Sequence, residues 1–159
     1  MHTLMLQRKK LLLVEGDAIV LSALCELLML DDKFHLTAAT SCGDAEFLFK
    51  DTHFDLIINA IGAYDQSNDV LSVDHFRSMI SSNFSVLQHI LVVLRPFLSD
   101  DSKFINISSI ASHSGSPAEA AYSSSKLLVD NLMASLRFDD TYNCLLYTSP
   151  SPRDATLSR

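Results

Sequence analysis

The sequence predicts an α/β domain in which a doubly wound parallel sheet lies between two layers of helices. Two observations indicate this three-layer α/β/α class. Four short runs are apolar at nearly every position, as strands covered on both faces are, and stretches with helical periodicity separate them. Strands that alternate with helices favour a parallel sheet. The 159 residues, 48% hydrophobic and 19% charged, suit one packed domain.

The strands are predicted where leucine or β-branched residues cluster. The first apolar run is short and stops at Glu15. In chain order the four predicted strands are KLLLV (10–14), FHLTAA (34–39), FDLIIN (54–59) and KFINIS (103–108). Helical periodicity predicts four helices, over 18–30, 43–50, about 73–98 and about 119–138. Ligands of such sheets bind beyond the carboxyl ends of the strands, so chemistry is expected in the polar segments there.

The charge of the chain argues against two classes of partner. Twelve basic and nineteen acidic residues give a formal net charge of -7, and the basic residues form no run beyond Arg8, Lys9 and Lys10. Binding to nucleic acid or to an anionic membrane surface is therefore not expected. The apolar run that follows Lys10 is too short for a signal sequence or a membrane span.

Cysteine and histidine usage predicts neither disulfides nor a metal site. Cys25, Cys42 and Cys144 include no close pair, and no histidine stands near them at metal-ligand spacing. A reducing, cytoplasmic compartment is therefore expected. The six histidines are scattered along the chain, and we assign no metal.

The segment from Cys144 to Arg159 differs from the rest. It lacks helical periodicity and carries two of the four prolines. Its first part, CLLYTSPSPRD, resembles the translation of an adapter used in transposase-based sequencing libraries. We expect residues 1–143 to form the domain and 144–159 to be a non-native, disordered tail. The gene would then be a metagenomic fragment whose natural product continued past Asn143, which leaves the sheet incomplete at the C-terminus.

The segment FINISSIASHSGSPAEAAYSSSK, residues 104–126, places Tyr122 and Lys126 one helical turn apart, with Ser109 thirteen residues before the tyrosine. It resembles the active-site segment of the short-chain dehydrogenase/reductase family, in which a strand ends in a serine pair and a helix carries Tyr-x-x-x-Lys. Upstream, RSMISSNFSVLQHILVVLRPFL resembles the family's central helix, with the active-site asparagine at Asn83. DLIINAIG resembles its Asn-Asn-Ala-Gly strand end, here residues 59–62.

The resemblance implies a Rossmann-like fold and hydride transfer between NAD or NADP and a carbonyl or secondary alcohol. It implies that Tyr122 exchanges a proton with the substrate and that Ser109 binds the substrate oxygen. Lys126 would lower the phenol pKa and hold the nicotinamide ribose, and Asn83 would order a water chain. The resemblance also implies a homo-oligomer. The cofactor-binding residues it implies are Tyr122, Lys126, Gly16, Asn59, Ala60 and Gly62.

The sequence departs from the family at the cofactor loop. The glycine-rich signature falls on EGDAIVLS, where only Gly16 matches and where Glu15 and Asp17 place negative charge near the expected phosphates. The choice between NAD and NADP is not readable, and the chain by itself is expected to be inactive. A dehydrogenase-like regulatory or scaffold module that has lost its cofactor is the alternative. His113 and Glu119 are interpreted as polar loop residues.

The first half also resembles a degenerate response-regulator receiver domain. Both begin with an LLLVE strand that precedes acidic residues, and the interval before Asn59 is short for a dehydrogenase. The phosphoacceptor aspartate of a receiver would fall on Ala60 or Asn59, and neither side chain accepts a phosphoryl group. A receiver-like signalling domain is therefore a further, weaker alternative.

Overall fold

The computed structural model of the chain describes residues 8–98 and 101–136, and the backbone of residues 145–149. Its strands form one sheet in the order β2-β1-β3-β4-β5, and every pairing is parallel. The strands are β1 Lys9–Val14, β2 Phe34–Ala39, β3 Leu56–Asn59, β4 Lys103–Ile107 and β5 Leu145–Ser149. The predicted doubly wound parallel sheet is therefore confirmed, and the first four strands lie where the apolar runs predicted them.

The fifth strand lies inside the segment that we expected to be a disordered tail. Leu145–Ser149 pairs with β4 from Lys103 opposite Leu145 to Ile107 opposite Ser149. Backbone groups at the edge of a parallel strand are open to such pairing, and the LLYTS run contains residues that suit a strand. Leu145–Ser149 thus forms the edge strand of the sheet, and the domain boundary at residue 143 stays a prediction. Residues 150–159 lie outside the described residues, and the non-native origin of 144–159 stays a prediction.

The helices follow the predicted order but are more segmented. The predicted helix over 73–98 changes its winding twice, first into a π-helical turn and then into a terminal 3₁₀ turn. A short helix that was not predicted follows β4. The α-helices are α1 Ala18–Leu28, α2 Cys42–Phe49, α3 Val73–Met79, α4 Val86–Leu94, α5 Ala111–Ser114 and α6 Ala120–Leu136. The π-helical turn is Ile80–Ser85, and the 3₁₀ turns are Arg95–Phe97 and Pro117–Glu119.

Side-chain caps fix where the first three helices begin. The side chains of Asp17, Ser41 and Ser72 each accept hydrogen bonds from backbone amides in the first turn of α1, α2 and α3. Such caps satisfy amides that have no partner within the helix. The polar residues at the carboxyl ends of the strands therefore start the helices that cover the sheet.

The main core lies between one face of the sheet and the helices α2, α4 and α6. Alternate strand residues point to this face, so Leu12, Ile57 and Phe104 pack against helix residues such as Ile90 and Val129. Helix α1 lies against β1 and β2 and contributes no fully buried residue. The sheet is thus covered by a thick layer on one face and by a weakly buried helix near β1.

The described residues show the state of two cysteines and bear on the expectations about metal sites and membrane spans. Cys25 and Cys42 are free thiols. Within 8–98 and 101–136, no three histidine, cysteine or acidic residues are grouped so that they could hold a metal ion. No helix in these same ranges combines the length and apolar character that crossing a membrane requires. Cys144 lies outside the described residues.

The buried pair Asn59 and Asn106 predicts a measurable stability cost for breaking it. The two residues stand directly opposite each other in β3 and β4, and Asn59 Nδ2 donates to Asn106 Oδ1 at 2.7 Å. We expect Asn106→Ala to lower the free energy of unfolding by about 1–3 kcal/mol, because Asn59 Nδ2 loses its acceptor in a buried position. Urea denaturation checks this value.

Asn131→Ala is the matched control, since Asn131 is exposed on α6. It is expected to change stability by less than about 0.5 kcal/mol. The double variant Asn59→Ala with Asn106→Ala should cost less than the sum of the two single variants. Equal costs for Asn106→Ala and Asn131→Ala would contradict a stabilising role for the pair.

Candidate active site

The site residues meet at the carboxyl ends of β3 and β4, where α6 crosses the π-helical turn. Ala60 and Gly62 follow β3, and Ser109 follows β4. Tyr122 and Lys126 lie on α6, which packs against the π-helical turn. Segments far apart in the sequence therefore come together at the edge of the sheet where ligands of this fold class bind.

Two cavities of about 620 Å³ each open at this edge of the sheet. The first, which we call the lysine cavity, is lined by Glu15, Ala60, Gly62, Ser108 and Lys126, among others. The second, which we call the serine cavity, is lined by Ser109, Ser114 and Glu119, among others. Tyr64 and Tyr122 line both cavities, so Tyr122 stands between Lys126 on one side and Ser109 on the other.

Asn83 joins the loop after β3 to α6. Its Oδ1 accepts a hydrogen bond from the amide of Ala63 at 3.0 Å, and its Nδ2 donates to the carbonyl of Ala63 at 2.9 Å and to Ser125 Oγ at 3.1 Å. The side chain is buried and lies in the π-helical turn, a winding that often occurs at functional sites. In this arrangement the amide of Asn83 acts as a clamp. The predicted water chain stays a prediction.

Gly62 is the one site glycine that a close approach requires. A Cβ atom at this position would lie 2.7 Å from Asn83 Oδ1 and 3.0 Å from Lys126 Nζ. A side chain at this position would force Asn83 Oδ1 to move, which would disturb its hydrogen bond to the amide of Ala63. The absence of a side chain at residue 62 thus allows Asn83 and Lys126 to pack against the loop.

Lys126 presents a buried ammonium to the ring of Tyr122. Lys126 is only 7% exposed, and its Nζ lies 5.9 Å from the centroid of the Tyr122 ring. Burial lowers the pKa of Lys126, and the negative charges of Asp130 and Glu15 oppose that shift. A positive charge in a desolvated position interacts more strongly with a nearby phenol than it would in water.

The serine pair after β4 contributes to both cavities. Ser109 Oγ accepts the amide hydrogen of Ala111 at 3.2 Å, which leaves its own hydroxyl hydrogen to donate. Ser108 Oγ is buried and has no hydrogen-bond partner among the described residues, and Ser108 lines the lysine cavity. Sequence analysis gave no role to Ser108. A buried hydroxyl without a partner beside a cavity is a candidate contact for a ligand.

Tyr64 and Glu119 are two site residues that sequence analysis missed. The Tyr64 ring meets the Tyr122 ring edge to face, with centroids 4.9 Å apart, and its hydroxyl donates to Glu119 Oε1 at 2.7 Å. Glu119 Oε2 accepts from the amide and the hydroxyl of Ser116, both at 2.9 Å. The one available signal was the spacing from Ser116 to Glu119, which matches a helix capping box.

These hydrogen bonds have opposite effects on the two acids. They lower the pKa of Glu119 to about 2, with the amide of Ser116 as the largest cause and the Tyr64 hydroxyl as the next. The same contact raises the pKa of Tyr64, because the phenol hydrogen is bound to a carboxylate. Glu119 is therefore ionised at neutral pH, and it lies in the turn before α6 with its carboxylate bonded to Tyr64 and Ser116.

Two predicted cofactor residues are not among those that line either cavity. Asn59 is 1% exposed and bonds to Asn106 inside the sheet. Gly16 is exposed, and a Cβ atom there would meet only the carbonyl of Thr40, at 3.6 Å. Asn59 therefore joins β3 to β4. The other four predicted cofactor residues, Ala60, Gly62, Tyr122 and Lys126, do line the lysine cavity.

The start of α1 does not fit the diphosphate of a dinucleotide. Asp17 Oδ1 already accepts the amides of Ile19 at 2.8 Å and Val20 at 3.0 Å. Glu15 lines the lysine cavity, and its Oε1 accepts the amide of Asp17 at 2.9 Å. Helix amides of this kind bind phosphate in nucleotide-binding folds, but here a carboxylate occupies them.

Comparison with known proteins gives a family from the sequence and a shared fold from the structure. Residues 44–143 match the model of the short chain dehydrogenase family. Over 88 residues the chain is 32% identical to the uncharacterized oxidoreductase YusZ of Bacillus subtilis (strain 168), a match that covers 54% of this chain and 31% of that protein. The chain thus spans less than a third of the length of this curated relative.

Solved structures share the fold at low sequence identity. The protein lin1944 from Listeria innocua superposes with a TM-score of 0.75 at 17% identity, over 89% of this chain and 76% of that chain. A short chain dehydrogenase/reductase from Burkholderia phymatum, solved in complex with NAD, gives 0.65 at 18% identity, over 89% of this chain and 55% of that chain. At these identities the likeness concerns the fold.

The family match and the site coincide along the chain. The matched residues 44–143 include Gly62, Asn83, Ser109, Tyr122 and Lys126, which are the residues gathered around the two cavities. The match also covers more than half of the 159 residues. The chain belongs to the short chain dehydrogenase family.

Proposed function

We propose that the protein is a nicotinamide-dependent oxidoreductase that interconverts a carbonyl group and a secondary alcohol. The observation that carries this proposal is the position of Tyr122 between the two cavities, with Lys126 in one and Ser109 in the other. The substrate oxygen would lie in the serine cavity. The lysine cavity would receive the nicotinamide end of NAD or NADP, which accepts or supplies the hydride when bound.

Proton transfer is the task of Tyr122. When an alcohol is oxidised, its carbon loses a hydride and its hydroxyl loses a proton, which Tyr122 accepts; reduction reverses both transfers. A phenol suits this task near neutral pH only if its anion is stabilised. The buried ammonium of Lys126, whose Nζ lies 5.9 Å from the ring centroid, is the group that would supply that stabilisation.

Ser109 and Asn83 position the reacting groups. The Ser109 hydroxyl donates to the substrate oxygen, where negative charge develops in the transition state. Asn83 fixes the loop that carries Gly62 against α6 through its bonds to Ala63 and Ser125. Ala60, Gly62, Tyr122 and Lys126 would contact the nicotinamide end of the cofactor, because they line the lysine cavity.

The blocked start of α1 supports a second candidate function. A dehydrogenase-like module that has lost nucleotide binding would keep the fold and the Tyr122 region but would not bind a diphosphate. The Asp17 cap and the buried Glu15 favour this alternative. No such observation favours a receiver-like function, since β3 ends at Asn59 and is followed by Ala60, and neither residue has a carboxylate.

Self-association and cytoplasmic location belong to the same proposal. Val92 on α4 and Leu127 and Leu128 on α6 are exposed apolar residues, which supports a homo-oligomer formed through these helices. The free thiols of Cys25 and Cys42 support a reducing compartment. The substrate would be a small molecule that fits the serine cavity of about 620 Å³.

The first prediction of this proposal concerns Tyr122→Phe. The variant removes only the hydroxyl. Because the unmodified chain is expected to be nearly inactive, the substitution is made in the Asp17→Ser chain, whose turnover with NADH or NADPH on a panel of small ketones should fall by at least about 100-fold. The free energy of unfolding should change by less than about 0.5 kcal/mol. Ser124→Ala, on the same helix but lining neither cavity, is the control and should leave turnover unchanged. Turnover that survives Tyr122→Phe would refute the proton-transfer role.

The second prediction concerns Asp17→Ser. Serine caps a helix as well as aspartate does, so α1 should stay intact while one negative charge disappears from the phosphate position. We expect the dissociation constant for NADH to fall by about fivefold, the effect of removing about 1 kcal/mol of charge repulsion. Nucleotide fluorescence measures the affinity.

Comparison of the wild-type chain with Asp17→Ser also distinguishes the two candidate functions. The wild-type chain is expected to be inactive or nearly so, and Asp17→Ser should show higher turnover that Tyr122→Phe removes. If neither protein binds NADH or NADPH, the oxidoreductase proposal fails for this chain and the cofactor-free module is favoured. An unchanged or weaker affinity in Asp17→Ser would contradict the electrostatic account of the loop.

The third prediction compares two glycines. Gly62→Ala forces Asn83 Oδ1 away from a contact of 2.7 Å, so it should lower the free energy of unfolding by about 1–3 kcal/mol and reduce turnover. Gly16→Ala, with its nearest contact at 3.6 Å, should stay within about 0.5 kcal/mol of the wild type. Urea denaturation of both variants decides, and similar values would argue against the close packing around Gly62.

A further inference from the structure

Glu119 gives the serine cavity a fixed negative charge. Its carboxylate lines the cavity together with Ser109 and Tyr122. Three hydrogen bonds hold it there, one from the Tyr64 hydroxyl and two from Ser116. A carboxylate that accepts several hydrogen bonds stays ionised and keeps one orientation. The charge therefore has a defined position at the solvent-exposed edge of the cavity.

No cation balances this charge within the cavity. Among the described residues, those that line it include no lysine, arginine or histidine, and apart from Glu119 they are serine, tyrosine, isoleucine and alanine. Lys126 lines the lysine cavity instead, with Glu15 on the same wall. A substrate in the serine cavity therefore meets one uncompensated negative charge.

The charge also stands close to the reacting centre. Glu119 precedes Tyr122 by three residues, at the junction of the 3₁₀ turn and α6. Residues three apart on a helix are neighbours, with Cβ atoms about 5–6 Å apart. Glu119 and Tyr122 both line the serine cavity, so one small molecule in that cavity can contact both side chains.

We propose that the serine cavity selects carbonyl and alcohol substrates that carry an ammonium group near the reacting carbon, such as amino ketones and amino alcohols, and disfavours carboxylates. The inference rests on the proposed function insofar as these molecules are turned over as substrates. Charge-selective binding depends only on the cavity. Ser109 and Tyr122 bind the oxygen of such a molecule, and Glu119 binds its ammonium group. A hydroxy acid of the same size meets repulsion at the same position.

Binding of three matched ligands tests the selectivity without any turnover. The probes are 1-amino-2-propanol, propane-1,2-diol and lactate, which differ at one group, and binding is followed through the tyrosine ring resonances in NMR titrations of the purified chain. We expect the amino alcohol to bind about fivefold more tightly than the diol, and lactate to bind more weakly than both. Equal affinity for the three probes, or binding of none, would overturn the proposal.

Three variants identify the source of the preference. Glu119→Gln removes the charge and should bring the affinities of the three probes to within about twofold of one another. Glu46→Gln removes one charge from α2, where Glu46 pairs with Lys50, and should keep the preference. Ser116→Ala removes a hydrogen bond to Glu119 but not the charge, and should keep it also. A preference that survives Glu119→Gln would refute the assignment.

Turnover of the same probes distinguishes this inference from the proposed function. Oxidation of the amino alcohol in preference to the diol, lost in Glu119→Gln, supports both. Charge-selective binding without oxidation by the wild type or Asp17→Ser retains the selectivity and contradicts the oxidoreductase proposal. Oxidation of all three probes at equal efficiency, abolished by Tyr122→Phe, retains the oxidoreductase proposal and overturns the selectivity.

Discussion

The clamp formed by Asn83 is the interaction on which the site geometry depends. One buried amide holds both backbone groups of Ala63 and the hydroxyl of Ser125, so it joins the loop after β3 to α6. Hydrogen bonds in a buried setting are costly to leave unmade, and the π-helical turn directs this side chain toward the loop. Gly62 supplies the space that the clamp needs, and Lys126 packs against the same glycine. The position of the ammonium below Tyr122 therefore follows from the clamp.

A second set of contacts positions Tyr122 and has both structural and electrostatic effects. Glu119 completes the capping box that starts the turn before α6, and it also binds Tyr64, whose ring meets Tyr122 edge to face. The group that helps to begin the helix thus restrains the aromatic neighbour of Tyr122, the residue that we propose transfers the proton. The carboxylate that satisfies the backbone also sets the charge of the serine cavity.

The sequence predicted the sheet well because apolar runs report burial directly. Leu11, Leu12, Leu13 and Val14 are all 0% exposed, as expected for a strand covered on both faces. The sequence did not predict the π-helical turn, because a single wider turn hardly alters the spacing of apolar residues along a helix. Motif position placed Asn59 at the cofactor, whereas burial and a partner in β4 place it inside the sheet. Glu119 was missed because its role depends on Tyr64, which is distant in sequence.

The start of α1 shows how local stability opposes a ligand site. Helix α1 has no buried residue, so apolar packing anchors it weakly and its cap contributes a larger share of its stability. A cap of this kind is worth about 1 kcal/mol. A neutral hydroxyl would satisfy the same amides, and the main further contribution of the Asp17 carboxylate is its attraction to the helix dipole. That attraction involves the partial positive charge at the N-terminus of α1, to which a diphosphate would also bind. With Glu15 beside it, the cap stabilises the helix at the expense of phosphate binding at its N-terminus.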